Sequence, residues 1–231
     1  HFSTKYRLPT LNDKYWQPGG NKNIKPEHGW SGEIGIGYSP DLMEPAQRFQ
    51  SEITVYTSKI HELIQWIPKE GESYWHAINT SQVRTSGIEA NADLNLKWNN
   101  LKVNLKSMYN YTRSINLNEE NQNIYKKQLR YTPIHTLKNS LSGRWKDFSA
   151  GTYIKYTGTR YTTTENSREL NPYITTDLFI KKQFKLETFD AQFKFTVENI
   201  LDNQYQVIAN YPMPGRAYYI NINIQLTKLI N

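Results

Sequence analysis

The sequence predicts an all-β protein, an antiparallel transmembrane β-barrel. Three observations carry that expectation. Residues 216–227 alternate strictly from Tyr218: Tyr218, Ile220, Ile222, Ile224 and Leu226 fall on one face, and Tyr219, Asn221, Asn223, Gln225 and Thr227 on the other. A period of two is a strand with one apolar and one polar side. The same alternation recurs on both sides of several tight turns. Hydrophobic residues make up only 37% of the 231, yet there are 17 Tyr, 8 Phe and 6 Trp. That balance is awkward for a soluble packed core and suits a wall with a polar interior and aromatic girdles.

Ten strands are expected in order. Residues 1–7 and 28–38 flank a segment rich in proline and glycine. Strands 49–66 and 74–98 are long, and the second is expected to bend or bulge near Gly87. Leu94, Leu96 and Trp98 alternate with Asn95 and Lys97; after Asn99-Asn100, Leu101, Val103 and Leu105 alternate with Lys102, Asn104 and Lys106. Residues flanking a two-residue hairpin pair directly, so Trp98 opposite Leu101 puts both apolar sets on one side. Asn also tolerates the positive φ such turns need.

Strands 101–115, 127–145 and 148–160 follow, with Lys146-Asp147 between Trp145 and Phe148. Strands 172–186 and 189–201 meet at Glu187-Thr188. The last strand, 216–228, should pair with 189–201 on one side and with a strand outside this chain on the other. A one-residue slip would reverse the faces, so the register is well specified.

Longer polar connections, about 115–127, 161–172 and 202–216, separate the tight turns. Alternating short turns and long loops are the habit of outer-membrane barrels, with short periplasmic turns and longer extracellular loops. Trp98, Trp145, Phe148 and Phe189 stand beside the turns, where an interfacial girdle belongs. A soluble β-sandwich also alternates, but predicts neither this alternation of loop length nor strands this long.

The net charge of +7 reads as a solvated basic surface, without the basic stripe or module of a nucleic-acid binder. No stretch approaches the roughly 20 apolar residues of a membrane helix. His1-Phe2-Ser3-Thr4 is no signal peptide, so the chain is expected to begin at a processed or truncated point. Without cysteine there is no disulfide framework or thiolate metal site. The five histidines lack metal-binding spacing, and no serine sits in a nucleophile elbow. Asp177 and Glu198 read as members of polar-face hydrogen-bond networks. No catalytic residue, metal site or cofactor is expected.

Five motifs then appear in order along the chain. The first is Arg7-Leu8-Pro9-Thr10-Leu11-Asn12-Asp13-Lys14-Tyr15-Trp16, with Pro18-Gly19-Gly20-Asn21 and Ile24-Lys25-Pro26-Glu27, whose prolines and glycines mark a structured loop. The second runs from Asn79 to Glu89 with Arg84, Gly87 and Ile88. The third is Arg130-Tyr131-Thr132-Pro133-Ile134-His135. The fourth is Tyr156-Thr157-Gly158-Thr159-Arg160-Tyr161. The fifth is Val197-Glu198-Asn199-Ile200-Leu201-Asp202-Asn203-Gln204-Tyr205 with Pro214-Gly215-Arg216.

Together they resemble the late-barrel segments of TonB-dependent outer-membrane receptors, particularly the cobalamin and siderophore branch. The resemblance implies a 22-stranded barrel plugged by an N-terminal domain, of which residues 1–231 would supply the C-terminal ten strands. It implies the outer membrane of a Gram-negative bacterium. The partners it implies are outer-membrane lipid, TonB and the plug domain through the missing N-terminal part, a small-molecule ligand (cobalamin or a metal chelate) and a surface lipoprotein. One departure stands out: the family often ends on an aromatic residue, whereas this chain ends Leu226-Thr227-Lys228-Leu229-Ile230-Asn231.

Loop aromatics are the expected ligand contacts: Tyr15, Trp16, Trp66, Tyr74 and Trp75, large surfaces with little conformational entropy to lose. Arg84, Glu89, Arg130, Arg160 and Arg216 match the motifs and are expected to line the lumen and contact the plug. Three other readings compete. One is a complete ten-stranded outer-membrane enzyme such as a surface protease, with His76, Glu70 and Glu72 as its thin catalytic cluster. The second is a receptor for haem or an oligosaccharide, and the third a soluble all-β binding module.

Overall fold

A computed structural model of the chain describes residues 1–69 and 71–226. In chain order the elements are β1 (Phe2–Arg7), α1 (Leu11–Tyr15), β2 (Glu27–Tyr38), β3 (Ala46–Pro68), β4 (Trp75–Trp98) and β5 (Leu101–Asn116). Then come β6 (His135–Trp145), β7 (Phe148–Thr157), β8 (Arg160–Tyr161), β9 (Glu169–Leu170) and β10 (Tyr173–Lys185). The last are β11 (Phe189–Glu198), β12 (Gln206–Ile208), β13 (Tyr211–Pro212) and β14 (Ala217–Leu226). Ten of these strands make one antiparallel sheet in the order β1-β2-β3-β4-β5-β6-β7-β10-β11-β14. The short pairs β8–β9 and β12–β13 lie within two of the long connections.

The register sorts the side chains by face. Ile36, Ile53, Ala90, Tyr109, Leu137, Tyr156 and Ile174 form one continuous cross-strand row. In β14, Ile220, Ile222 and Ile224 pair with Phe195, Phe193 and Ala191. These apolar side chains point away from the chain's own atoms: Ile34 is 81% exposed and Ile222 67%. Left in water rather than an apolar medium, each would forgo about 1.5–3 kcal/mol, so this face is built for lipid.

Ile88 stands ten residues above Trp98 on β4. At about 3.4 Å per residue and a tilt near 40°, that is roughly 26 Å of height, the depth of an outer-membrane apolar band. Trp98, Leu101, Trp145 and Phe148 form the row beside the tight turns.

The expected turns are present, with Asn99 at φ 49° and Lys146 at φ 53°. The amide of Leu186 donates to the carbonyl of Phe189 across Glu187-Thr188. Two expectations are corrected. The sixth sheet strand begins at His135 rather than 127. Lys126 and Tyr131 adopt φ 58° and 55°, and only an isolated bridge from Ile115 to Gln128 remains of the pairing. Nor does β4 bulge at Gly87: its pairing runs unbroken on both sides, and the register shift lies between Ala46 and Arg48 of β3. Glycine is needed at 87 because a Cβ there would stand 2.3 Å from the Tyr111 carbonyl oxygen and 2.5 Å from Tyr56 Oη. The Tyr56 ring covers that gap, its hydroxyl 2.8 Å from Thr112 Oγ1.

The outer strands, β1 and β14, do not pair with each other among the described residues. The sheet is therefore open, unlike the closed ten-stranded barrel that the enzyme reading requires. β14 pairs with β11 as expected. The expected extension to 228 and the non-aromatic ending beyond Leu226 lie outside the described residues.

Candidate functional site

The long connections gather at one end of the sheet, and residues 8–26, which include α1, are the first of them. Thr10 caps α1 through a reciprocal pair: the Asp13 amide donates to Thr10 Oγ1 (3.1 Å) and the Thr10 amide to Asp13 Oδ2 (2.9 Å). Asp13 is buried, and its Oδ1 accepts from Trp66 Nε1 at 2.8 Å. Burial alone would raise the Asp13 pKa. The hydrogen bonds from Thr10 and Trp66, with the nearby Arg7 guanidinium, outweigh burial and hold it below the ordinary carboxylate value.

The connection is also sewn to β3 and β4. Asn79 accepts from the Lys25 amide (2.9 Å) and donates to the carbonyls of Lys25 (3.1 Å) and Glu62 (2.7 Å). The Ala77 amide donates to the Gly19 carbonyl. A Cβ at Gly19 would sit 1.7 Å from the Trp75 carbonyl oxygen, so only glycine permits this approach. Ile24, Ile64 and Ala77, with Trp66 packed on them, form a small apolar core.

The tip between β3 and β4 carries a charged cluster. Glu72 lies 2.7 Å from His76 Nε2 and 3.0 Å from Lys69 Nζ, and the Tyr74 ring packs on the His76 ring at 4.7 Å. The Tyr74 hydroxyl, then Lys69 and His76, bring the Glu72 pKa down to about 2. Trp75 packs against Tyr131 at 6.0 Å, and Arg130 Nη1 donates to the Pro68 carbonyl.

The next connections lock to one another. Gln128 and Asn166 exchange two hydrogen bonds, and the Tyr131 amide donates to the Tyr161 carbonyl. Arg160 is only 3% exposed, and its Nε, Nη1 and Nη2 donate to the carbonyls of Gly158, Gln206 and Asn171. Its guanidinium lies over Tyr173, which stacks on Tyr205. In the last connection Asn199 closes a turn onto Asn203, and Asp202 Oδ1 accepts from the Arg216 amide.

Of the expected ligand contacts, Tyr15 and Trp16 are exposed, 54% and 58%, as are Leu8 and Leu11, and Lys22 Nζ lies over the Tyr15 ring at 6.0 Å. Trp66 is committed to Asp13 and the small core. Tyr74 and Trp75 are half-buried against His76 and Tyr131.

The expected lumen residues scatter. Glu89 lies on the polar face, opposite Thr54 and Asn110. Arg84 lies on the apolar side of the sheet, two alternations above Ile88 and opposite Lys59. Arg130 donates to the carbonyl of Pro68, the last residue of β3, and Arg160 to carbonyls of two connections. Arg216 is exposed at the foot of the last connection, just before β14. Glu70 of the alternative catalytic cluster lies outside the described residues. Among them no group of three or more His, Asp or Glu could hold a metal.

The polar face itself holds a hollow of about 690 Å³, bordered by Glu52, Asp93, Lys106, Lys138 and Tyr153. Lys106 pairs there with Asp93 at 3.3 Å. The sequence did not reveal Asp13 as a buried anchor. Its signal was the Thr-x-x-Asp capping pattern of Thr10 and Asp13.

The family model for the TonB dependent receptor-like beta-barrel matches residues 2–200. The vitamin B12 transporter BtuB of Photobacterium profundum is 27% identical over 222 residues, covering 94% of this chain and 33% of that protein. BtuB of Vibrio vulnificus is 36% identical over 90 residues, 38% of this chain and 14% of that protein. The chain thus spans about a third of the length of the curated relatives it matches along most of its own. Among solved structures, the copper transporter OprC overlays with a TM-score of 0.71 at 17% identity, over 97% of this chain and 36% of that one. Ferric citrate transporter FecA in the unliganded form gives 0.65 at 15%, over 89% and 32%.

Proposed function

Since the chain belongs to the TonB-dependent receptor-like β-barrel family, we propose that it forms the C-terminal ten strands of an outer-membrane receptor that imports a scarce nutrient with energy delivered through TonB. The observation that carries this reading is the open two-faced sheet. One face is suited to lipid and the other to a wet lumen, and both edge strands await partners. The loop layer at one end forms the vestibule. A plug domain and the first dozen strands belong to the remainder of the polypeptide.

Cobalamin is the leading ligand, because the relatives that match nearly the whole chain are vitamin B12 transporters; a ferric siderophore is next. Tyr15 and Trp16 are the contacts this chain would supply, two exposed aromatics on an anchored loop. The decisive experiment uses the intact receptor in cells lacking their own cobalamin receptor. Labelled cyanocobalamin should enter only when TonB is present. Tyr15→Ala with Trp16→Ala should weaken binding about tenfold or more, as removal of an aromatic anchor does. Uptake independent of TonB would overturn the receptor reading, and unchanged affinity would overturn the assignment of the two aromatics.

A further inference from the structure

We infer that a belt of five cations on the polar face, Lys97, Lys102, Arg144, Lys181 and Lys194, is a docking surface for a carboxylate-rich face of the domain that fills the lumen, a part of the same polypeptide outside this chain. The inference rests on the plugged-receptor reading above and names the surface by which plug and wall meet.

The belt is a consequence of register. Lys97 pairs with Lys102, Lys102 with Arg144, Arg144 with Ser149, Ser149 with Lys181, and Lys181 with Lys194. One row across six strands therefore presents a cation at every strand but one. All five share the side of the sheet that carries Asn95, Asn104, Gln192 and Asn223. Like charges directly opposite on neighbouring strands destabilise a sheet, and this row repeats that arrangement three times.

The structure offers the row little relief. Among the described residues none of the five is ion-paired. Two polar-face carboxylates are otherwise placed: Asp93 is held by Lys106, Asn95 and Asn104, and Asp190 stands opposite Lys185; Asp147, in the turn three residues beyond Arg144, forms no ion pair among the described residues. Arg144 is fixed in place by the Gln183 side chain at 3.1 Å and the Lys146 carbonyl at 3.2 Å. Lys194 rests over the Phe179 ring at 5.3 Å. A hollow of about 340 Å³ opens beside Lys102, Arg144, Lys181 and Phe179.

The size of the row selects the occupant. With strands about 4.8 Å apart, five steps span roughly 24 Å. That is far longer than a phosphate or a small carboxylate ligand and matches a protein surface. About two thirds of the length of the matched relatives lies outside this chain, enough for a lumen domain.

The test is zero-length carbodiimide coupling on the intact receptor in detergent, which joins a lysine amine to a carboxylate only in direct contact. Mass spectrometry should find Lys97, Lys102, Lys181 or Lys194 joined to Asp or Glu of the upstream lumen domain. The triple variant Lys102→Gln, Arg144→Gln, Lys181→Gln should lower the urea midpoint for release of that domain while the barrel keeps its own unfolding midpoint. Couplings from the polar-face lysines Lys138 and Lys155 but none from the belt would overturn the belt proposal and leave the receptor reading intact. Absence of any upstream lumen domain would overturn both. Protection of the belt lysines by millimolar inorganic phosphate, with no coupling to the domain, would assign the belt to a small anion and overturn the proposal.

Discussion

At the residue scale, the charged side chains of the loop layer act as anchors. Arg160 is buried without a carboxylate partner among the described residues, and three backbone carbonyls together with the Tyr173 ring hold its charge. Arg160→Met should therefore loosen connections 158–172 and 199–216 by about 3 kcal/mol, the scale of losing several charge-assisted hydrogen bonds in a buried setting. Hydrogen exchange should accelerate there, with the strand amides unchanged. Asp13 supplies a pH signature. Its folded pKa lies below the ordinary value near 3.8. It therefore stabilises the docked loop above that value and loses the contribution as pH falls through the lowered folded pKa. Proteolysis within residues 8–26 should rise as pH drops below about 4. Asp13→Asn should flatten that rise and expose the loop at neutral pH.

At the scale of elements, each strand has two faces with different tolerances. Ile222 lies mid-strand in β14, paired with Phe193 on the apolar side, and Asn223 faces the polar side opposite Gln192. Ile222→Arg should cost about 2–4 kcal/mol of barrel stability in lipid, whereas Asn223→Arg should cost little. Urea unfolding of the intact receptor in bilayers separates the two, and equal losses would contradict the assignment of faces. The alternation of these strands was legible because period two is local. The start of β6 was not, because residues 127–134 fold back through the Gln128 side chain, which bonds the Ser114 amide and replaces the ladder.

At the scale of the molecule, the open edges of β1 and β14 set the expectation for the chain on its own. Rows of unpaired backbone groups cannot stand in hydrocarbon. Residues 1–231 refolded alone in detergent should aggregate or associate edge to edge instead of giving a heat-modifiable monomer on a gel. Co-refolding with the remaining strands should restore one. A stable, monomeric, heat-modifiable product from residues 1–231 alone would show that these edges can close on themselves.

Local pattern in the chain was enough to establish the strands apart from the start of β6, their faces, the tight turns and the family, since alternation and turn chemistry are local and the motifs are contiguous. Tertiary contacts settled what each polar residue does. Trp66 and Arg160 look equally available in the sequence, yet one is spent on a buried aspartate and the other on three carbonyls from two separate connections. Arg84 is the exception, since its place on the apolar side follows from its parity with Ile88 on β4 and was already legible in the chain. The cation belt is invisible in the chain, where its members lie up to 97 positions apart, from Lys97 to Lys194. Hydrogen-bond register brings them into one row, and only pairing between strands sets that register.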